Sequence, residues 1–367
     1  MREALRYGFD ADEPPRDFSS NGYTSKLILA VSGGSDSMAM LALAAEIHAL
    51  GCGLWPLAVT IDHGLRPEAA AEAEQVGQTC KQLGVPHSII RWERSETGPV
   101  SQADARRARH SLLARWAAAR GISQIAMAHT RDDRLETFLM RARQGSGWYG
   151  LGGLMPYAHS PVWPDGGGLR IFRPLLAFRR EELRDHLRTR GIEWIEDPSN
   201  QSEKYERVRM RRLVNRMSAS TRDKAIHTLD RLAQMRVATA KAAFRLLNDH
   251  VHKRGEAADI HLDAREQVGP EAWRRFIEAM VMAAGGGSLP PRGEALTRLL
   301  DRIATRDPVL ERGVTLAGAK IRLGKGALLT FSRAPPRGER AGSPLATPDW
   351  ARAGWLLWPT NLGPLRV

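Results

Sequence analysis

The sequence predicts an α/β protein: a parallel-sheet N-terminal domain, then a mainly helical domain, then a small C-terminal β element. Three observations predict it. Short apolar runs alternate with helix-patterned stretches from Lys26 to Arg143, glycines mark most of the joints, and the pattern changes character after Gly145. Strands joined by short helical crossovers form βαβ units, which make a parallel sheet and put ligands at the carboxyl ends of the strands.

The elements follow in order. Residues 27–31, Leu-Ile-Leu-Ala-Val, read as a short buried strand, broken by Gly33 and Gly34. An Ala/Leu/Met-rich helix then covers 37–50 and stops at Gly51. Strands are expected at 54–61, 87–92 and 122–128, and helices at 68–83, 101–120 and 132–143. Residues 145–153 are glycine-rich, and 157–168 carry Pro161, Pro164 and three consecutive glycines, so both stretches read as loops. A charged helix is expected at 179–190 and a short strand and turn at 193–200. The stretch from 204 to about 252 is an almost unbroken helix pattern. Two further helices, at 271–284 and 293–304, precede a glycine-punctuated β pattern at 313–331.

These readings divide the chain into a polar segment (1–25), an α/β domain (26–216), a mainly helical domain (217–305), a β element (306–335) and a Pro/Gly/Arg-rich tail (336–367) that looks weakly structured. A length of 367 residues suits such a multi-domain plan. No apolar run is long enough to cross a bilayer, and the first 25 residues lack the apolar centre of a secretory signal. A soluble cytoplasmic protein that makes no membrane contact is the expectation. Cys52 and Cys80, the only cysteines, exclude a disulfide framework and a Cys-rich metal site. With 54 Lys+Arg against 41 Asp+Glu the formal net charge is +13, which suits a polyanionic partner.

Chemistry concentrates where strands end. Ser32-Gly33-Gly34-Ser35-Asp36-Ser37 joins the first strand to its helix. Glycines let the backbone approach an anion, the serines add hydroxyl donors, and a helix N-terminus offers free N–H groups. A diphosphate is the natural occupant. The run is neither a Walker loop nor a dinucleotide fingerprint, because the Gly-Lys-Ser/Thr and the third glycine are missing. Asp36 suits a phosphate site only if a cation intervenes, which implies Mg²⁺ held by the nucleotide and one carboxylate. Asp132 and Glu136, four apart, share a helix face, and Asp133 adds acidity at the same edge. His63 and His129 each end a strand. Arg106 and Arg109, three apart on a helix, suit a bidentate phosphate clamp. Lys204, Arg207, Arg209, Arg211 and Arg212 form a basic stretch suited to RNA phosphates.

A strand followed by Ser-Gly-Gly-x-Asp-Ser resembles the N-type ATP pyrophosphatases, or PP-loop proteins, with their nucleotide α-hydrolase-like fold. Further runs narrow the resemblance: Ile61-Asp62-His63-Gly64-Leu65-Arg66, His129-Thr130-Arg131-Asp132-Asp133, Gly145-Ser146-Gly147, Arg173-Pro174-Leu175-Leu176, Arg180-Glu181-Glu182-Leu183 and Trp194-Ile195-Glu196-Asp197-Pro198-Ser199-Asn200. In this order and spacing they look like the tRNA(Ile)-lysidine synthetases over roughly residues 26–216. The sequence departs from that pattern at Thr130, where a second His is usual, at Gln102, where a Glu is common, at His110, where a Tyr is usual, and at Arg207-Val208-Arg209, where Arg-Asn-Arg is favoured.

The resemblance implies ATP-dependent joining of free L-lysine to C2 of the wobble cytidine of a tRNA(Ile) with a CAU anticodon. The cytidine is adenylated first, and reading switches from AUG to AUA. It implies ATP and pyrophosphate contacts from Ser32, Gly33, Gly34, Ser35, Asp36, Ser37, Asp62, His63, Arg106 and Arg109. Asp36 would hold Mg²⁺, and catalytic work would fall to Asp36, His129, Asp132, Asp133 and Glu136. Family members can be homodimers. A tRNA thiolase of the same superfamily is disfavoured, because no Cys-x-x-Cys is present. A non-catalytic RNA binder would have no use for the intact loop and its acids.

Overall fold

The computed structural model describes residues 25–62, 64, 68–92, 101–196, 206–287, 290–335 and 347–357. The chain divides into two compact units between Ala233 and Gln234.

The first unit runs β1 (Ser25–Ala30), α1 (Ser35–Ala49), β2 (Leu54–Asp62), α2 (Ala69–Gln82), β3 (His87–Arg91), α3 (Gln102–Ala118), β4 (Gln124–Met127) and α4 (Arg131–Arg143). It continues through α5 (Trp148–Leu151), β5 (Tyr157–His159), β6 (Arg170–Phe172), α6 (Arg180–Thr189) and α7 (Glu206–Arg216) into the start of α8 (Ala219–His250). Its sheet has the order β3-β2-β1-β4-β6-β5, parallel except for β5. The order reverses between β1 and β4, and a crevice opens at such a switch point beyond the strand ends.

Successive β1 side chains serve opposite faces. Leu27 and Leu29 pack with Met38 and Leu41 of α1, Val76 of α2 and Leu187 of α6. Ile28 and Ala30 pack with Leu113, Ala114 and Ala117 of α3 and Ile125 of β4. A central strand covered on both sides must be apolar throughout, which is why it shows no alternation in sequence. The stretch expected as loop at 157–168 contains β5, antiparallel to β6, with Tyr157 stacked on Phe172. Three residues are too few to show a strand period. At 192–196 no strand forms. Leu135 of α4, Val214 of α7 and Leu229 of α8 form a small apolar cluster, and Arg134 pairs with Asp230 at 2.6 Å. That packing holds α7 against α4.

The second unit holds the rest of α8, then β7 (Val251–Arg254), β8 (Ala257–His261), α9 (Pro270–Gly285), α10 (Gly293–Thr305), α11 (Val309–Arg312), β9 (Val314–Leu316), β10 (Ala319–Leu323), β11 (Leu328–Arg333) and α12 (Trp350–Leu357). Its antiparallel sheet has the order β7-β8-β11-β10-β9. This regroups the sequence-based segments: β8 pairs with β11, so one sheet draws strands from both the expected helical segment and the expected β element. The missed signal is the two-residue link between Arg254 and Ala257, whose Gly255 takes a positive φ of 57°. Part of the Pro/Gly/Arg-rich tail, whose composition reads as weakly structured, is helical: Ala353 and Leu357 of α12 are buried, and α12 packs on α9.

Candidate active site

Between β1 and α1 the chain turns on itself. Gly33 takes φ +83°, a region open mainly to glycine. Ser32 N donates to Ser37 Oγ (3.1 Å), and Ser37 Oγ donates to Gly34 O (2.9 Å), so the turn is bound from within. Gly34 caps α1 and has no side chain to satisfy the first-turn N–H groups. Those donors and the positive helix end are left to an anion. Ile195 N donates to Gly33 O (2.9 Å), and a Cβ on Gly33 would stand 2.5 Å from Ile195 Cδ1. The segment around Ile195 therefore backs the turn.

A cavity of about 660 Å³ opens at the switch point. Its walls come from the β1–α1 turn, from α3, from the end of β4, and from α6, α7 and the Trp194–Glu196 segment. One wall is a web of acids and guanidiniums. Arg180 donates from Nε to Asp36 Oδ2 (3.0 Å), from Nη2 to Asp133 Oδ1 (2.8 Å) and from Nη1 to Glu136 Oε1 (3.3 Å). Its own backbone N–H donates to Asp132 Oδ2 (2.8 Å). Arg207 reaches Asp133 Oδ1 and Glu136 Oε2, both at 2.8 Å, and Arg211 reaches Glu136 Oε1 at 2.8 Å. Asp133 Oδ2 accepts from Thr130 N (2.7 Å) and Oγ1 (3.1 Å), closing the cap of α4. The Glu136 side chain is wholly buried and that of Asp133 is 6% exposed, so each carboxylate is compensated where water cannot reach it.

The pKa directions follow from this web. Burial pushes the Asp133 carboxyl up, but the Arg180 and Arg207 charges outweigh it and hold the acid below its ordinary value. For Asp36 burial wins over the Arg180 charge, and nearby Asp133 adds to it, so its pKa is raised. Burial lowers the Arg180 pKa, but Asp133, Asp36 and Glu136 outweigh it and leave it raised.

The α3 wall is cationic. Arg106 and Arg109 line the cavity, and neither has a carboxylate partner among the described residues. Burial lowers both pKa values and mutual repulsion adds to the effect at Arg109, yet a guanidinium stays charged. His110 is pushed down to about 3, by burial and then by the Arg106, Arg109 and Arg173 charges. His129 falls to about 3 by burial and the Arg173 charge. Arg173 Nε donates to His129 Nδ1 (3.2 Å), which places the neutral ring's proton on Nε2.

The comparisons with known proteins agree with this geometry. Residues 15–217 match the model of the PP-loop domain. A tRNA(Ile)-lysidine synthase of Hyphomonas neptunium is 45% identical over 80% of this chain and 77% of its own length. Enzymes of the same name from Zymomonas mobilis (35% identical, 89% of this chain, 94% of theirs) and a Bradyrhizobium species (37%, 90% and 96%) match as well. The chain belongs to the tRNA(Ile)-lysidine synthase family.

In this member of the tRNA(Ile)-lysidine synthase family the expected site residues divide. Ser32, Gly34, Ser35, Asp36, Ser37, Arg106, Arg109, His129, Asp133, Arg207 and Arg211 line one cavity. Gly33 shapes the turn from behind. Asp132 and Glu136 stand one layer back, and their shared helix face meets Arg180 rather than open space. Asp62 is not in the cavity wall. It accepts from Gly64 N (2.9 Å) and faces Arg91 at 3.8 Å. His63 and Lys204 lie outside the described residues. The basic stretch splits: Arg207 and Arg211 turn inward onto acids, whereas Arg209 and Arg212 are exposed. Among the described residues no cluster of three or more His, Cys, Asp or Glu is placed to hold a metal. A lone Asp36 beside the anion turn fits Mg²⁺ that takes its other ligands from phosphate and water.

Arg180, Arg184, Arg173 and Trp194 were not singled out in sequence as site residues, although Arg180, Arg173 and Trp194 lie in the family motifs. A signal for Arg180 was present. Arg179 and Arg180 open α6, where a cation opposes the helix dipole, and a broken local rule marks a working position.

Proposed function

We propose that this enzyme attaches free L-lysine to C2 of the wobble cytidine of a tRNA(Ile) with a CAU anticodon, using ATP, and so changes the codon read from AUG to AUA. The observation that carries this reading is the meeting, in one cavity, of an anion-binding turn, a pair of arginines with no carboxylate partner among the described residues, and the Asp133 edge of a buried acid web. The first part suits a diphosphate, the second the rest of a triphosphate, and Asp133 is the carboxylate an amine would meet.

Cytidine O2 is a poor leaving group, so it is activated first. O2 bonds to the α-phosphorus of ATP, the bond between the α and β phosphates breaks, and diphosphate leaves into the β1–α1 turn. Ser35 and the first amides of α1 hold the leaving charge, Ser37 keeps the turn in shape, and Arg106 and Arg109 meet the charge that develops. Mg²⁺ on Asp36 would supply further charge neutralisation. The lysine ε-amine then bonds to C2, the C2–O2 bond breaks, and AMP departs with O2. An amine with an ordinary pKa near 10.4 must lose a proton before attack, and of the acids in the web Asp133 is the one that lines the cavity, with Glu136 behind it. Neutral His129, protonated on Nε2, acts as a hydrogen-bond donor rather than a base. Exposed Arg209 and Arg212, with Lys204, meet tRNA phosphates. A tRNA substrate puts the reaction in the cytoplasm.

The test is ATP–pyrophosphate exchange with and without a tRNA(Ile) transcript, followed by incorporation of labelled lysine. Exchange that needs the transcript, followed by incorporation, is the expected result. Exchange without incorporation would assign a different nucleophile, and ATP left intact in the full mixture would end the reading.

A further inference from the structure

Among the described residues Arg180 alone touches carboxylates from both ends of the site. Asp36 belongs to the first turn of α1, beside the anion-binding turn, whereas Asp133 and Glu136 belong to α4. Each of the three guanidinium nitrogens is assigned to a different acid, at 3.0, 2.8 and 3.3 Å. Asp132 fixes the other end of the residue through the Arg180 backbone N–H, and Arg131 N donates to Phe178 O (2.9 Å), which ties the start of α4 to the approach of α6. The side chain is thus anchored at root and tip. Among the described residues it leaves Asp36 Oδ1 with Ser35 Oγ alone, at 3.4 Å.

We propose that Arg180 is the positioning residue that holds the nucleotide end and the amine end of the site in register, so that both half-reactions depend on one guanidinium. This rests on the lysine-ligation reading above. Asp36 must present one oxygen to the phosphates and their cation. Asp133 and Glu136 must stay ionised while an amine approaches. Arg180 serves the first need by occupying Oδ2 of Asp36 alone. It serves the second because a guanidinium keeps its charge at every working pH. A lysine at this position could not do both, since its single ammonium cannot span three acids arranged around a planar fork.

The test compares wild type, Arg180→Ala and Arg180→Lys in two assays: transcript-dependent pyrophosphate exchange, and the KM for lysine in the complete reaction. Thermal melting confirms that each variant folds. Arg180→Ala should lose about 100-fold in exchange, and its KM for lysine should rise at least about tenfold. Guanidinium ion at millimolar concentration should restore part of the exchange, because the cavity is open to it. Arg180→Lys should recover one half-reaction but not both. A folded Arg180→Ala that loses only one half-reaction, or that guanidinium leaves unchanged, would overturn the proposal. Full recovery of both half-reactions by Arg180→Lys would do so too. If wild type itself fails to incorporate lysine, the fault lies in the ligation reading and not in the role of Arg180.

Discussion

On the α3 side of the cavity Arg106 and Arg109 carry charge that no carboxylate among the described residues offsets, while on the α4, α6 and α7 side Arg180, Arg207 and Arg211 are matched by Asp36, Asp133 and Glu136. The two sides of one cavity thus treat the same residue type in opposite ways. A partly buried guanidinium without a partner, as at Arg109, is costly and is kept where an external anion completes it, and exposed Arg106 stands beside it on the same helix. A matched set is self-sufficient, and its value lies in fixed geometry, since removing either partner strands a buried charge. The cationic side therefore waits for a ligand, and the matched side is built before any ligand arrives.

The largest expected effect comes from breaking the matched side at its nucleotide end. Asp36→Ala should lower transcript-dependent pyrophosphate exchange by about 10²–10³-fold, the scale of removing one preorganised electrostatic group. The tRNA affinity, read by filter binding, should stay within about twofold. Equal loss in both assays would make Asp36 a folding residue.

On the cationic side the expectation is reversed for stability. Arg109→Ala should raise the KM for ATP by about 10–100-fold, the worth of one charge-assisted hydrogen bond. Its melting temperature should match or exceed that of wild type, because an uncompensated charge has gone. Glu136→Ala should instead lower the melting temperature, at a cost of up to about 3–5 kcal/mol of stability, since it leaves Arg211 without its carboxylate and takes one of two from Arg207. If Arg109→Ala destabilised as much as Glu136→Ala, the two sides would not differ in kind.

How far this contrast could be read in sequence depends on the range of the interactions. The β1–α1 turn was legible because Gly33, Gly34, Ser35 and Ser37 act on their immediate neighbours. The sheet was legible because apolar runs report burial directly. The pairing of Arg207 and Arg211 with Asp133 and Glu136 spans over seventy residues, and a basic helix reads the same whether it faces acids or phosphates. Likewise β7 is short and mostly exposed and β8 is buried at three residues in a row, so neither shows an alternating period beside the long helical pattern that precedes them.

A smaller effect concerns pH. His110 has a pKa of about 3 in the folded protein, against 6.5 ordinarily. Between those values the unfolded chain binds a proton that the folded one refuses, so this residue's stabilisation is present above pH 6.5 and fades as pH falls toward 3. His110→Asn should therefore show a shallower fall in melting temperature from about pH 7 to about pH 4.5 than wild type. Parallel curves would mean that burial and the Arg106, Arg109 and Arg173 charges do not hold this ring neutral.

The smallest effect separates the two faces of α7. Each phosphate neutralised by a cation adds about one to the slope of log affinity against log salt, somewhat less for single-stranded RNA. Arg209 and Arg212 are exposed, so replacing both by Ala should weaken tRNA binding and flatten that slope by about one to two. Arg207→Gln should leave the slope as it is, because its guanidinium already serves Asp133 and Glu136 and displaces no counterion from RNA. Its cost should fall on the KM for lysine instead, through the acids it holds. A slope that flattened in Arg207→Gln and not in the double variant would move the RNA surface from the outer face of α7 into the cavity.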